Sequence, residues 1–216
     1  MRTDKDITND VKEALVWEPS ITPKDIHVVA EGGVVTLTGF VPSYAEKRSA
    51  EKVARRVMGV KAIAEDLKVA TPGSIRRTDT DIAKAVTDAL RWHVWVPDTV
   101  QATVEDGWIT LSGTVGSDYQ RKSAQYAVSH LLGVMGVSNS IVLTPTAEPV
   151  AVKEAIEKAF KRDAELEARG LTVTTKGGSV TLTGKIKSWD ERDRAGMAAW
   201  NAPGVTAVDN NLVVVM

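Results

Sequence analysis

The chain contains no cysteine, which removes disulfides, thiolate metal sites and a cysteine nucleophile together. Aromatic residues are scarce, at 5%. No apolar run approaches the ~20 residues needed to span a bilayer. Neither charge is in excess: 27 basic residues stand against 28 acidic ones, so no whole-protein field draws the chain to nucleic acid or to a membrane. The opening Met1-Arg-Thr-Asp-Lys-Asp6 runs straight into a helical pattern, without the apolar stretch of a signal peptide. That start implies a cytoplasmic protein, or a periplasmic one if the sequence is a processed form. No phosphate loop, dinucleotide fingerprint or Gly-x-Ser-x-Gly elbow occurs.

What is present is a repeat. Gly33-Val-Val-Thr-Leu-Thr-Gly39 recurs as Gly107-Trp-Ile-Thr-Leu-Ser-Gly113 and as Gly178-Ser-Val-Thr-Leu-Thr-Gly184, the closing glycines lying 74 and then 71 residues apart. Each copy reads as a turn, a short strand of alternating apolar and hydroxyl residues, and a second turn. Three units follow, over 1–70, 78–144 and 148–216, joined by linkers at 71–77 and 143–149. Units this small bury a limited core, and linkers this short bring neighbours into contact.

Within the first unit, Ile7, Val11, Ala14 and Leu15 share one helical face. Asp4 and Asp6 in its first turn suit the positive end of the helix dipole. Ile26, Val28 and Ala30 then alternate along a strand, Gly32-Gly33 makes a hairpin turn, and Val35 and Leu37 continue the buried face. Four residues after each closing glycine stands a capping-box pattern: Ser43-x-x-Glu46, Ser117-x-x-Gln120 and Ser188-x-x-Glu191. A helix burying Ala50, Val53, Ala54 and Val57 comes next, Gly59 is placed as its cap, and Val60, Ile63, Leu67 and Val69 supply a third strand. From the closing glycine onward the units align without a gap, Gly59-Val60 matching Gly133-Val134 and Gly204-Val205. The fold class is therefore α+β: three tandem αββαβ units, each a small mixed three-stranded sheet with two helices on one face.

These residues resemble the BON domain (bacterial OsmY and nodulation). The resemblance rests on the Gly-x-Val-Thr-Leu-Thr-Gly block and on Gly204-Val-Thr-Ala-Val-Asp-Asn-Asn-Leu212, and it covers nearly the whole chain three times. The first unit departs at Glu65, where the others carry Asn139 and Asn210. The resemblance implies the αββαβ fold, a link to osmotic or envelope stress, and binding of phospholipid surfaces or of other proteins.

No catalytic constellation stands out, and no cofactor or metal is expected. His27, His93 and His130 occupy unmatched positions in their units, which argues against a repeated base or ligand. Asp163 and Glu165 show helix-surface spacing and nothing more specific. Two features rise above this background. Lys47, Arg48, Lys52, Arg55 and Arg56 cluster on the second helix of the first unit, a candidate contact for anionic phospholipid or a solvated face paired with Glu46 and Glu51.

The tryptophans are the second feature. Trp17 and Trp92 each follow an Ala-Leu by two residues, implying a shared packing role. Trp95 and Trp108 have no counterparts and are candidate interface residues. Alternation along the strand places Trp108 opposite the helices. The middle unit is also short of charge, with six basic and seven acidic residues over 71–146 against eleven of each over 1–70, as a covered surface would be. The expectation is a non-enzymatic binding or scaffolding protein whose partner is another protein, its own repeats or a second copy. A peripheral module for anionic phospholipid is the alternative, and nucleic acid is not expected.

Overall fold

The computed structural model describes residues 2–70, 77–144, 152–162 and 171–215. The expected linkers fall largely outside those residues, as do Asp163 and Glu165. The chain divides into two compact units, one of Met1–Val94, Gln101–Leu111 and Ala124–Ser140, the other of Trp95–Val100, Ser112–Ser123 and Ile141–Met216. The middle repeat thus contributes to both.

The first repeat is α1 (Asp4–Trp17), β1 (Ile26–Glu31), β2 (Val34–Val41), α2 (Tyr44–Arg56) and β3 (Ala62–Val69). β2 is central, antiparallel to β1 and parallel to β3. The middle repeat holds α3 (Asp79–Trp92), β4 (Gln101–Glu105), β5 (Trp108–Ser112), β6 (Thr114–Val115), α4 (Asp118–Ser129), β7 (Gly136–Asn139) and β8 (Val142–Leu143). Its sheet runs β4-β5-β7, with β6 and β8 forming a separate parallel pair. The third repeat is α5 (Val152–Arg162), β9 (Thr172–Lys176), β10 (Ser179–Ile186), α6 (Trp189–Trp200) and β11 (Ala207–Val214), in the order β11-β10-β9. The class is α+β, as the alternation of patterns in the sequence implies.

Each central strand turns its apolar residues inward. Val35, Leu37, Ile109, Leu111, Val180 and Leu182 are wholly buried, while Thr36, Thr110 and Thr181 alternate onto the other face. The helices lay their own stripes over this layer: Ile7, Val11 and Leu15 from α1, and Ile82, Val86 and Leu90 from α3. In the third repeat Val152, Ile156 and Phe160 join Val180, Leu182, Ala195 and Leu212 in one core. The closing glycine has a steric reason. A Cβ on Gly39 would stand 1.9 Å from the Asp25 carbonyl oxygen, and one on Gly113 2.1 Å from that of Thr99. No side chain fits there.

Caps set the helix starts. The Thr3 hydroxyl accepts from the Asp6 amide at 3.2 Å, and the Asp6 carboxylate accepts from the Thr3 amide at 3.0 Å. Thr78 and Asp81 repeat the arrangement at 3.2 and 3.1 Å. Hydrogen bonds from Thr3 and Thr78 hold the Asp6 and Asp81 carboxyls below their ordinary pKa.

The second helices differ from the reciprocal box their sequences imply. Ser43, Ser117 and Ser188 do cap Glu46, Gln120 and Glu191. The third-position side chains, however, reach past the cap. Gln120 accepts from the Gly116 amide at 3.0 Å and Glu191 from the Lys187 amide at 2.8 Å, while Glu46 accepts from the Thr22 amide. The buried Glu46 carboxylate thereby satisfies a backbone donor of the loop between α1 and β1, and the buried Glu191 carboxylate one of the loop before its own helix.

Candidate functional site

The basic cluster lies on α2, and the fold divides it. The Lys47 ammonium donates to the Leu67 carbonyl at 2.7 Å and pairs with Glu65 at 3.1 Å. Arg55 pairs with Glu51 at 2.7 Å, one helical turn away. Both side chains are partly covered by these partners. Arg48, Lys52 and Arg56 are exposed, and no ion pair reaches them among the described residues. Their spacing of four residues aligns them as a single cationic stripe. Position by position the stripe becomes Lys122, Tyr126 and His130 in the middle repeat and Asp193, Met197 and Asn201 in the third. It belongs to the first repeat alone.

Glu65 also gains an explanation. Besides holding Lys47, it accepts from the Leu67 amide at 3.0 Å. In the third repeat Asn210 accepts from the Leu212 amide at 3.4 Å and donates to the Arg192 carbonyl at 2.9 Å. The Arg192 guanidinium meets the Leu212 carbonyl at 3.3 Å. A lysine paired with a glutamate and an arginine paired with an asparagine perform the same task, fastening the second helix to the third strand. Comparing 47 with 65 in each repeat would have revealed the exchange; reading 65 alone did not.

The tryptophans separate into three kinds. Trp17 and Trp92 are 76% and 81% exposed, so the shared packing role is corrected. The buried stripe of α1 runs through 7, 11 and 15, and position 17 is two residues, roughly 200°, past its last member. Trp95 is 53% exposed and meets the Tyr119 ring edge-on, centroids 5.6 Å apart. Trp200, which sequence reasoning passed over, lies beneath the Arg121 guanidinium at 4.7 Å. Arg121 is itself paired with the buried Asp118, which also holds Lys122 at 2.7 Å. This cation–π contact joins the middle and third repeats.

Trp108 stands on the helix-free face, as alternation required, and is 49% exposed. Its indole nitrogen donates to the Ser138 hydroxyl at 2.9 Å. Its six-membered ring covers Gly136, the directly paired residue of β7, where a Cβ would come within 2.4 Å of Cε3 and Cζ3. The other repeats pair Val34 with Ala62 and Ser179 with Ala207. The large side chain at 108 and the missing one at 136 are thus two halves of one substitution. Gly136 went unremarked in the sequence because its significance appears only beside its neighbour.

His27 and His130 are exposed, the latter against the Tyr126 ring at 4.6 Å. Among the described residues no three His, Asp or Glu side chains converge as a metal site, and no helix is long and apolar enough to cross a membrane.

Known proteins resemble the chain to very different degrees. Osmotically-inducible protein Y of Escherichia coli (strain K12) is 37% identical over 143 residues, 64% of this chain and 71% of that protein. Among solved structures, CdsD, a structural protein of the type III secretion system of Chlamydia trachomatis, aligns over 97% of this chain and 92% of its own at 17% identity, with a TM-score of 0.27. The PrgH periplasmic domain aligns over 94% and 99% at 12% identity, with a TM-score of 0.24. Those two likenesses are too slight to bear on this chain. The BON domain itself matches residues 3–71, 78–145 and 150–216. The chain belongs to the BON domain family and carries three copies of that domain.

Proposed function

We propose that this is a non-enzymatic binding or scaffolding protein of the osmotic or envelope stress response, acting through contacts made by its repeats. Its likeness to an osmotically inducible protein supports the stress setting. The contact role rests on one observation. The middle repeat carries half of the large apolar side chains left exposed among the described residues, including Trp92, Val94, Trp95, Trp108, Tyr119 and Tyr126. It is also the repeat poorest in charge. Exposed apolar surface of this density marks interaction sites more often than bare protein surface.

Native mass measurement of the full chain purified from osmotically stressed cells tests the reading. A defined assembly is expected, and Trp95→Ala should weaken it about tenfold, the effect of losing roughly 1.4 kcal/mol. A monomer without bound partner, unchanged by Trp95→Ala, would dismiss it. Cell fractionation decides between the cytoplasm and the periplasm.

A second reading has its own support: the exposed stripe of Arg48, Lys52 and Arg56 suits an anionic phospholipid surface. Vesicles with anionic lipid should then sediment the protein at low salt and release it at high salt. Charge reversal at Arg48 and Arg56 should abolish sedimentation. Reversal at Arg55, already held by Glu51, should matter less.

A further inference from the structure

The Trp108 indole is held in place more firmly than its exposure requires. A ring that covers Gly136 and hydrogen-bonds Ser138 spans two residues on one face of β7. Side chains at 136 and 138 project from the same side of the sheet, so the ring lies across the strand instead of standing away from it. Steric fit fixes one end and a hydrogen bond the other. The remaining surface, about half of the residue, is open to solvent.

The surroundings of this fixed plate are polar, with one carboxylate and no cation on the three strands. Thr110 adjoins it along β5, and Gln101, Thr103 and Glu105 occupy the exposed alternation of β4, Glu105 at the hairpin end beside the ring. No lysine or arginine occurs in β4, β5 or β7. A phospholipid headgroup or a nucleic acid needs cations beside the ring. An apolar peptide needs further apolar side chains around it, as hot spots are ringed. Neither is provided on this face.

We infer that the pinned Trp108 ring is a stacking platform for a sugar ring, and that this face binds a neutral glycan. One face of a pyranose presents axial C–H groups, whose positive edge suits the negative face of the indole. Its equatorial hydroxyls radiate in the ring plane, where Thr110, Thr103 and the Glu105 carboxylate supply donors and acceptors. The platform is already ordered, so stacking loses little side-chain entropy. Val34 and Ser179 at the matched positions provide no such plate, which confines the site to the middle repeat. The inference rests on reading the chain as a binding protein and names a ligand class for one of its surfaces.

The test uses the full chain and two neutral probes, the β-1,4-linked hexamers of glucose and of N-acetylglucosamine. The indole N–H resonance of Trp108, assigned by its absence in Trp108→Phe, should shift saturably with at least one hexamer. Trp108→Ala should weaken binding about tenfold or more. Gly136→Ala is the sharper variant. Alanine occupies this position in both sister repeats, and the atoms it meets are the far end of the Trp108 side chain, so the sheet survives while the ring is lifted. Binding should fall with the indole still present. Ser138→Ala, which frees the ring's other end, should give a smaller loss. A resonance that neither hexamer moves, or a response unchanged in Gly136→Ala, would overturn the proposal. If anionic vesicles alone move the Trp108 resonance, the ligand class is wrong. If Trp108→Ala dissolves a protein assembly that the hexamers leave untouched, the binding reading stands and the glycan falls.

Discussion

In the first repeat the Asp4 carboxylate accepts from the amides of Gly32 and Gly33, at 2.9 and 3.1 Å. In the second, Asp79 grips Asp106 and Gly107 at 2.8 and 2.9 Å. The first residue of each opening helix thus clasps the hairpin turn beneath it with both oxygens. The third repeat keeps the hairpin turn, at Gly177-Gly178, but its matched stretch reads Glu148-Pro-Val-Ala151 where the others read Thr3-Asp-Lys-Asp6 and Thr78-Asp-Thr-Asp81. Proline stands in place of the clasping aspartate, and alanine in place of the one that completes the cap. Yet Val180, Leu182 and Ile156 are as fully buried as Val35, Leu37 and Val11. The core and the fastenings are therefore separable in sequence: the apolar layer is preserved in a repeat that lacks both aspartates.

The largest effect expected from that separation lies in the cores. Leu37→Ala and Leu182→Ala each empty a wholly buried site, and each should cost about 3 kcal/mol, the range for leucine truncation with an unfilled cavity. Chemical denaturation should give similar losses in the two repeats. A far smaller loss at Leu182 would show that the third core is loosened along with its fastenings.

The clasp comes next. Asp79→Ala removes two hydrogen bonds to an ionised group, and about 2 kcal/mol of the middle repeat's stability should go with them. Amide exchange at Asp106 and Gly107 should quicken in that variant. Exchange at Gly177 and Gly178 should already be fast in the wild type, and slow protection there would erase the contrast.

Acid should produce the smallest effect. The folded pKa of Asp6 and of Asp81 lies below the ordinary 3.8, so their contribution is present in full above that value and fades as pH falls through the depressed one. Carboxyl NMR titration should place both midpoints below 3.8. Fraying at the starts of α1 and α3 should follow, and Asp81→Asn should remove this cap's share of the acid response in α3. The third repeat, with Ala151 at this position, offers no corresponding carboxylate.

Much of the fold was legible because its determinants are local and repeated. Strand alternation around Val35 and Leu37 fixed which face is buried, and the serines four residues past each glycine fixed where the second helices begin. The features that escaped are relations between distant residues. Glu65 makes sense only with Lys47, twenty residues earlier in a different element. Gly136 makes sense only with Trp108. Trp17 and Trp92 differ for another reason: recurrence does not imply burial, and their helical phase sets them apart from the stripe at 7, 11 and 15. At the candidate site, the sequence indicated the face on which Trp108 stands; the hydrogen bond and the notch that hold its ring depend on the pairing of β5 with β7.

Each three-stranded sheet draws all its strands from a single repeat. The hairpin of β1 and β2 closes over a two-residue turn, and β3 returns to β2 within the same seventy residues. Loop-closure costs are therefore met within each repeat, a topology that favours rapid folding. During synthesis the chain emerges in the order in which these sheets are completed. The first can assemble its strands before the third has been translated, which shortens the time β2 spends with both of its edges open as an unpaired template.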